Sequence, residues 1–380
     1  YMNIPEVRFP EFTEEWEKQK LSNILEFEYG MNAAGKEFDG ENKYIRITDI
    51  EESSRKFLQT KLVSPEGKVT EKYRVKFGDI LFARTGASTG KTYKYIDNDG
   101  KIYFAGFLIR GRVDKKTSVD FIFYLTLNYK YKSWINVMSM RSGQPGINAK
   151  EYGSYEFRIP KIEEQQKIGD FFTLLDKRIE QQEQKIALLK DYKKAMMQKI
   201  FSQKIRFKDD NGNDYPDWEE KKLGKICRVK SSQLTNNVVE EIGKYPVYGA
   251  NSIVGYTENY EVNKYVSIVK DGAGVGRIAF INNKSSVLGT LQYLIGIEIT
   301  TEFLYVLLSN VNFKLYQTGT TIPHIYFKDY SKMIIDIPCQ LEQEKISSFL
   351  FAMDLNLENQ EAILNNLKEQ KQGLLRKMFV

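Results

Sequence analysis

The chain repeats one plan twice, and this internal repeat constrains its fold more than any other feature of the sequence. Many residues recur 178 positions later, the interval that separates Pro160 from Pro338, and eleven of them mark the repeat here. They are Pro160, Glu164, Gln165, Lys167, Ile168, Phe171, Asp176, Glu183, Lys190, Lys199 and Phe201, which return as Pro338, Glu342, Gln343, Lys345, Ile346, Phe349, Asp354, Glu361, Lys368, Lys377 and Phe379. A looser match precedes each copy, where Arg8, Phe9, Trp16, Leu21 and Ile24 correspond to Arg206, Phe207, Trp218, Leu223 and Ile226. The repeat predicts two units, each a globular domain followed by a helix.

The two copies agree well in their helical part and poorly in their globular part. This contrast indicates a shared scaffold that carries two different recognition surfaces. The expected domains are a first globular domain over residues 1–160, a first long helix over 161–203, a second globular domain over 204–338 and a second long helix over 339–380. The fold class that follows is α+β, with two mixed, β-rich domains separated by two long helices.

After Pro160 and after Pro338 the apolar residues alternate spacings of four and three, which is the heptad seam of a coiled coil. The first seam is Ile168, Phe172, Leu175, Ile179, Gln182, Ile186, Leu189, Lys193, Met196 and Ile200. The second is Ile346, Leu350, Met353, Leu357, Gln360, Leu364, Leu367, Lys371, Leu374 and Met378. A helix of this length spans roughly 55 Å. We expect the two helices to pair as an antiparallel coiled coil within the chain.

Both seams contain polar residues at matching places, Gln182 and Gln360 and then Lys193 and Lys371. A polar seam residue costs stability but can fix the register of a helix pair, and the alternative is a tolerated imperfection. Our hypothesis is that the helices pair about a pseudo-two-fold axis that brings Gln182 close to Gln360. The antiparallel pair would then form a rod with one globular domain at each end.

The composition permits nucleic-acid binding but does not require it, because 56 Lys and Arg against 50 Asp and Glu give a net charge of only +6. The longest apolar runs, such as 303–308, are far too short to span a bilayer, so we expect no membrane association. Cys227 and Cys339 form no disulfide framework. Two reduced thiols are typical of a cytoplasmic protein.

Two glycine-rich segments occupy equivalent places in the two copies. They are the first glycine loop, residues 84–91, and the second glycine loop, residues 270–277. The segment 86–92 resembles a phosphate-binding loop but has three residues between its glycines where that motif needs four. A nucleotide-binding enzyme is therefore disfavoured. We interpret both segments as strand–loop–strand units whose Arg and Lys side chains reach phosphates or guanine edges; an ordinary turn with solvated charges is the alternative.

A second pair of loops precedes the helices: the first polar loop, residues 141–148, and the second polar loop, residues 318–324. Amide side chains suit adenine and Arg suits guanine in the major groove, although a structural turn is again the alternative. The candidate DNA-binding residues are Arg84, Thr85, Ser88, Thr89, Lys91, Arg141, Ser142, Gln144 and Asn148 in the first copy, and Lys270, Asp271, Arg277, Thr318, Thr320, Thr321 and His324 in the second.

Catalytic chemistry has little support in the sequence. His324 is the one histidine, and neither cysteine has a partner at zinc-ligand spacing, so we expect no metal site. No set of nucleophile, base and orienting group can be assembled around a single histidine. We therefore expect a chain that has no catalytic residues and no cofactor of its own.

Two divergent domains, each followed by a helix that opens with Pro-x3-Glu-Gln-x2-Ile and continues to Asp176 or Asp354, resemble the specificity subunit of type I restriction–modification systems. The resemblance covers the whole chain. It implies that 1–160 and 204–338 are target-recognition domains, each reading one half of an asymmetric, split DNA site, and that the helices set the gap between the halves. It also implies docking of two methyltransferase subunits, which use S-adenosylmethionine, and of two motor-nuclease subunits, which use ATP and magnesium.

Two other interpretations remain open at this point. A recognition subunit of a methyltransferase-only or phage-defence system would have nearly the same sequence pattern. A coiled-coil scaffold without DNA contact is the alternative from a different class, but a scaffold has no need for two divergent recognition domains.

Overall fold

The computed structural model describes residues 4–140 and 145–380, which form two compact units. The first unit is Tyr1–Gln184 together with Ala362–Val380, and the second is Lys185–Glu361. Each unit thus combines one globular domain with segments of both long helices.

The first half of the chain is β-rich up to its long helix. Its strands are β1 (Glu17–Lys20), β2 (Leu25–Tyr29), β3 (Gly35–Glu37), β4 (Lys43–Ile45), β5 (Val63–Pro65), β6 (Asp79–Ala83), β7 (Thr92–Lys94), β8 (Ile102–Phe104), β9 (Leu108–Val113) and β10 (Glu156–Ile159). Its helices are α1 (Val119–Leu125), α2 (Tyr129–Ser139), α3 (Ala149–Gly153) and α4 (Ile162–Phe201).

The second half of the chain follows the same plan. Its strands are β11 (Glu219–Lys222), β12 (Cys227–Ser231), β13 (Tyr245–Tyr248), β14 (Ile253–Thr257), β15 (Tyr265–Val269), β16 (Ile278–Ile281), β17 (Ser286–Val287), β18 (Leu291–Gly296) and β19 (Ile334–Ile337). Its helices are α5 (Leu223–Ile226), α6 (Thr301–Ser309), α7 (Phe327–Tyr330) and α8 (Gln340–Lys377).

The central sheets of the two domains have the same topology. In the first domain the order is β2-β9-β6-β7, and in the second it is β12-β18-β15-β16, with every pair antiparallel. The central strands β6 and β15 are buried at every residue, because neighbouring strands flank them and a separate apolar cluster packs on each face. A second match is the ribbon that joins the first strand of each domain to its last, β1 with β10 and β11 with β19. The α+β class with two β-rich domains is confirmed.

The repeated helix opening has a structural explanation, since it fastens each long helix to its own domain. In the first unit Gln165 donates from its side chain to the carbonyl of Pro160 at 2.8 Å and accepts from the backbone of Ser118 at 3.0 Å. Ser118 is the N-cap of α1, so one glutamine joins two helix starts. In the second unit Gln343 makes the same bonds, to Pro338 at 3.0 Å and from Thr300, the N-cap of α6, at 3.1 Å.

The two long helices pack against each other inside each unit, and the seam residues are the ones withdrawn from solvent. In the first unit Asp176 and Glu183 pair with Lys371 at 2.5 Å and Lys368 at 2.6 Å. In the second unit the corresponding pairs are Lys193 with Asp354, and Lys190 with Glu361 at 2.7 Å. In both units residue numbers rise along one helix as they fall along the other, so the pairing is antiparallel as predicted.

The polar seam residues Lys193 and Lys371 are therefore ion-paired with an aspartate of the facing helix. The predicted contact of Gln182 with Gln360 joins residues of different units and stays a prediction.

Each globular core is completed by a phenylalanine from the end of a long helix. In the first unit Phe379, near the end of the chain, packs on Phe121 with ring centroids 5.2 Å apart and on Phe172 at 6.1 Å. In the second unit Phe201, its counterpart in the repeat, packs on Phe303 at 6.2 Å. The repeated Phe thus packs against an aromatic side chain of the core in both units. Among the helices of the described ranges, none has the length and apolar character needed to cross a membrane.

Candidate nucleic-acid interface

The first glycine loop is the turn of the hairpin formed by β6 and β7, as the strand–loop–strand interpretation predicted. Its ends are joined by backbone bonds between Ala83 and Lys91 at 2.8 Å and between Gly90 and Ala83 at 2.9 Å. Gly90 has φ +87°, and a β-carbon there would lie 2.5 Å from Ile135. Glycine is therefore required at Gly90 both for its backbone angle and for its close approach to α2.

The described part of the first polar loop is hydrogen-bonded to the first glycine loop. The amide of Gly86 donates to the carbonyl of Pro145 at 2.9 Å, and the amide of Ile147 donates to the carbonyl of Arg84 at 2.9 Å. Thr85 and Gly146 form an antiparallel bridge between these two bonds. The structure therefore brings together two loops that are about 60 residues apart in sequence.

The second unit repeats this arrangement bond for bond. The amide of Gly272 donates to the carbonyl of Pro323 at 3.0 Å, and the amide of Ile325 donates to the carbonyl of Lys270 at 2.9 Å. Asp271 and His324 form the bridge that corresponds to Thr85 and Gly146. In each unit the glycine loop and the polar loop thus form a paired backbone surface, which we call the platform. It consists of residues 84–86 with 145–147 in the first unit and of residues 270–272 with 323–325 in the second.

The side chains on the two platforms differ. In the first unit the bridge pairs Thr85 with a glycine, which offers no side chain. In the second unit His324 Nδ1 lies 2.9 Å from Asp271 Oδ1, and Lys270 lies 3.5 Å from the other oxygen of that carboxylate. The aspartate thus fixes the orientation of the imidazole, and the second platform carries a Lys–Asp–His group that the first lacks.

The candidate cations of the two glycine loops have different surroundings. The guanidinium of Arg84 stacks over the ring of Tyr29 at 5.0 Å, which orients it by a cation–π contact. Lys91 is mostly buried and pairs with Glu52 at 2.5 Å. Arg277 is exposed and donates to the carbonyl of Ala250 at 3.1 Å and to the side chain of Asn251.

The smaller candidates have structural contacts as well. The hydroxyl of Thr89 donates to the carbonyl of Gly86 at 2.8 Å, which tightens the first glycine loop, and Ser88 accepts a backbone bond from Lys91 at 3.0 Å. Asn148 is the N-cap of α3 and forms a capping box with Glu151. Thr318 bridges to His324 through the backbone.

Thr320 and Thr321 are exposed in the second polar loop. Arg141, Ser142 and Gln144 of the first polar loop lie outside the described residues. Direct base contacts by any of these side chains stay predictions.

Residues that the sequence did not single out support the first platform. Tyr152 is fully buried; its hydroxyl donates to the carbonyl of Ala83 at 2.6 Å and accepts from the amide of Gly90 at 3.1 Å. The hydroxyl of Tyr29 accepts from the amide of Ala149 at 3.2 Å while its ring holds Arg84. Aromatic residues are so common in β-rich domains that no local pattern marks these two.

The residue types on the platforms are suited to binding a nucleic acid, which offers both phosphates and the edges of bases. Backbone amides, Arg and Lys bind phosphates, whereas Asp, His, Thr and Asn can discriminate among bases. Within residues 4–140 and 145–380, no cluster of three or more His, Cys, Asp or Glu side chains is arranged to hold a metal ion.

Comparison with known proteins agrees with this geometry. The family model described as the type I restriction modification DNA specificity domain matches residues 13–191 and again residues 215–369. The chain is 22% identical to the type I restriction enzyme MjaVIII specificity subunit of Methanocaldococcus jannaschii, over 98% of this chain and 94% of that protein. It is 28% identical to the putative type I restriction enzyme MjaX specificity subunit of the same organism, over 58% of this chain and 55% of that protein.

Solved structures have the same fold. The S subunit of the type I restriction–modification system from M. genitalium matches with a TM-score of 0.66 at 18% identity, covering 99% of both chains. A chain from a structural study of complex assembly and conformational transition of the type I R-M system matches with a TM-score of 0.56 at 17% identity, covering 95% of this chain and 96% of that one. The two matches of the family model cover most of the sequence, and the chain therefore belongs to the family of type I restriction–modification DNA specificity subunits.

Proposed function

We propose that this chain recognises a two-part DNA sequence, with one half-site contacted by each unit. The observation that carries the proposal is the duplicated platform: the bonds Gly86 to Pro145 and Gly272 to Pro323 build the same backbone under different side chains. A common backbone places side chains in equivalent positions, and different side chains select different bases.

The proposed base contacts follow from hydrogen-bonding chemistry. Arg84, oriented by Tyr29, is suited to the two acceptors of guanine in the major groove. Asp271 can accept from the amino group of cytosine, and His324 can donate or accept beside it. Because Thr85 replaces Asp271 in the first unit, the two half-sites should differ in sequence.

The catalytic steps would belong to partner subunits. We propose that methyltransferase subunits dock on the long helices and supply S-adenosylmethionine for adenine methylation, and that motor-nuclease subunits supply ATP and magnesium. Support comes from Leu174, Leu188, Leu341 and Leu355, which lie on the helices with 66%, 70%, 63% and 59% of their surface exposed. Each of these exposed leucines is accessible for contact with a partner subunit.

The test uses the matched residues Arg84 and Lys270, which occupy the same place on the two platforms. Each would be changed to alanine in the full chain, co-expressed with its methyltransferase partner, and methylated adenines would be mapped across the genome. We expect Arg84→Ala to relax or change one half-site only and Lys270→Ala to affect only the other, because each contact is worth about 1–3 kcal/mol of discrimination.

The spacing between the half-sites should be the same in both variants, since neither residue is in the long helices. An effect of both substitutions on the same half-site would contradict the assignment of one unit to each half. Wild-type-like methylation in both variants would remove these side chains from base recognition.

A further inference from the structure

The first unit contains a cavity of about 470 Å³ beside the first glycine loop. Its walls come from four segments of this unit: residues 52–55, residues 87–91, helix α2 with the residues before it, and the last turns of α8. The cavity therefore shares Thr89 and Lys91 with the first glycine loop, whereas Arg84, the proposed guanine contact, does not line it.

Four cations line this cavity: Arg55, Lys91, Lys132 and Lys371. The side chains of Arg55, Lys91 and Lys371 are only 11%, 16% and 10% exposed, whereas Lys132 is at the exposed rim. Cationic side chains that are this poorly exposed to water need negative charge nearby to offset the cost of their desolvation.

The counter-charges do not balance the cations. Lys371 pairs with Asp176 at 2.5 Å. Glu52, which is 70% exposed, is shared between Lys91 at 2.5 Å and Arg55 at 3.6 Å. Glu51 adds a third carboxylate that acts on Arg55, so four positive groups face three negative ones and the cavity keeps an excess of positive charge.

Two enclosed polar atoms of the cavity residues lack hydrogen-bond partners within the part of the chain that the structure describes. They are Nη1 of Arg55, which lies 3.6 Å from Oε1 of Glu52 and thus just beyond hydrogen-bonding distance, and the hydroxyl of Tyr131. Tyr131 is 1% exposed, and its ring is held by Tyr155 at 5.2 Å and by Trp134 at 6.1 Å. A buried donor without an acceptor is costly, so both atoms would gain from an oxygen-rich ligand.

The conformation of Arg55 fits a binding role. Its φ is +60°, in the left-handed region that a non-glycine residue enters only at a cost. Burial also lowers the pKa of its guanidinium below the usual value. The surrounding structure must hold a residue in this conformation, and residues strained in this way are concentrated at ligand-binding and active sites.

We propose that this cavity binds a phosphate group, held by Arg55, Tyr131 and the lysines around them. Phosphate has enough acceptor oxygens for the guanidinium, the hydroxyl and an ammonium at once, and its charge offsets the excess positive charge. Because Gly90 and Lys91 belong both to the cavity wall and to the first glycine loop, a DNA backbone phosphate is the source that we favour; this choice of source rests on the proposed function. Free phosphate or a nucleotide has the same chemistry.

The first part of the test needs no DNA. Thermal unfolding of the full chain would be followed in sodium phosphate and in sodium chloride of equal ionic strength. We expect phosphate to raise the Tm by about 3 °C at ten times its Kd. Arg55→Gln and Tyr131→Phe should lose this rise, whereas the general stabilisation by excluded phosphate ions persists in every variant. Tyr131→Phe keeps the charge unchanged, so it isolates the hydroxyl.

The second part measures duplex binding by the chain with its methyltransferase partner at several salt concentrations. If a DNA phosphate occupies the cavity, Arg55→Gln should lower the slope of log affinity against log salt by about 0.9 without changing the sequence that is methylated. Arg74→Gln is the matched control, because it removes the same charge from an exposed site of the same unit that does not line the cavity.

The outcomes separate the possibilities. Loss of the phosphate-specific Tm rise together with the lower slope supports a DNA phosphate as the ligand. Loss of the rise with an unchanged slope supports the phosphate site and assigns it to a free anion. An equal Tm rise in wild type, Arg55→Gln and Tyr131→Phe overturns the proposal. Failure of the wild-type complex to bind duplex would count against the proposed function. The Tm measurements in phosphate would still test whether the cavity binds phosphate.

Discussion

The guanidinium of Arg8 lies 2.7 Å from the carboxylate of Glu164, and this pair anchors the start of helix α4. Glu164 is 2% exposed in its side chain and Arg8 is 10% exposed, and the hydrogen bonds raise the pKa of Arg8 above its usual value. Arg206 and Glu342 form the same pair in the second unit, also at 2.7 Å. The repeated Arg-Phe and Glu-Gln pairs of the sequence are thus parts of one joint between domain and helix.

Glu164→Gln should destabilise the first unit by about 3 kcal/mol, because it leaves the buried Arg8 charge without its partner. Urea unfolding of the full chain would measure the change. Glu11→Gln is the control: its pair with Lys167 is about half exposed on both sides, so its loss should cost much less stability than the loss of the Glu164 pair. Similar losses for the two variants would mean that the joint contributes no more than a surface ion pair.

Tyr152 and Tyr330 offer a comparison between the two units, since 178 positions separate them in the repeat. The hydroxyl of Tyr152 makes two hydrogen bonds under the first glycine loop. The hydroxyl of Tyr330 is buried and has no partner among the described residues. Tyr152→Phe should therefore cost about 1–2 kcal/mol, whereas Tyr330→Phe should be neutral or stabilising.

Urea unfolding would measure both changes, and the two variants control each other because the deleted atom is the same. A loss of stability in Tyr330→Phe equal to that in Tyr152→Phe would show that the contacts of the hydroxyl do not determine its cost. Methylation mapping should also show a loosened preference at one half-site in Tyr152→Phe only.

The duplicated architecture could be predicted from the sequence because its signals are strong and local. Three signals indicate the long helices: the heptad seams, the prolines before them and the residues repeated at a fixed interval. The antiparallel pairing was predicted from these helices. The glycine loops were also placed correctly between strands, since glycines that flank apolar runs mark turns.

The pairing of each glycine loop with a polar loop could not be predicted, because it depends on backbone bonds between residues far apart in sequence. No side-chain pattern reports that Gly86 donates to Pro145. The cavity beside Arg55 was missed for a similar reason, because its lining comes from four separate segments of the chain. The polar residues Lys193 and Lys371 could be predicted to fix a register, but not to do so through Asp354 and Asp176.

The two cysteines should differ sharply in reactivity. Burial raises the pKa of the Cys227 thiol to about 12, so almost no thiolate is present at pH 8. Cys339 is partly exposed at the start of the second long helix. Iodoacetamide at pH 8 should label one thiol per folded chain, at Cys339, and raising the pH to 9 should leave Cys227 unmodified.

Mass spectrometry of the digested protein would locate the label, and alkylation in urea would serve as the control because unfolding removes the burial. Labelling of Cys227 in the folded chain at a rate close to that in urea would contradict the assignment of its raised pKa to burial.

We also expect the length of the helix pair to determine the gap between the two half-sites, as the family resemblance implies. Inserting seven residues near the middle of α4 and seven at the matching place in α8 keeps the heptad seam in phase. The insertion lengthens the pair by about 10 Å, which corresponds to about three base pairs. Methylation mapping should therefore find the same half-site bases with a gap about three base pairs longer. An insertion of seven residues in α4 alone is the control, because it shifts the ion pairs of Asp176 and Lys193 out of register and should abolish methylation. A changed base preference with an unchanged gap would show that the helices do not set the spacing.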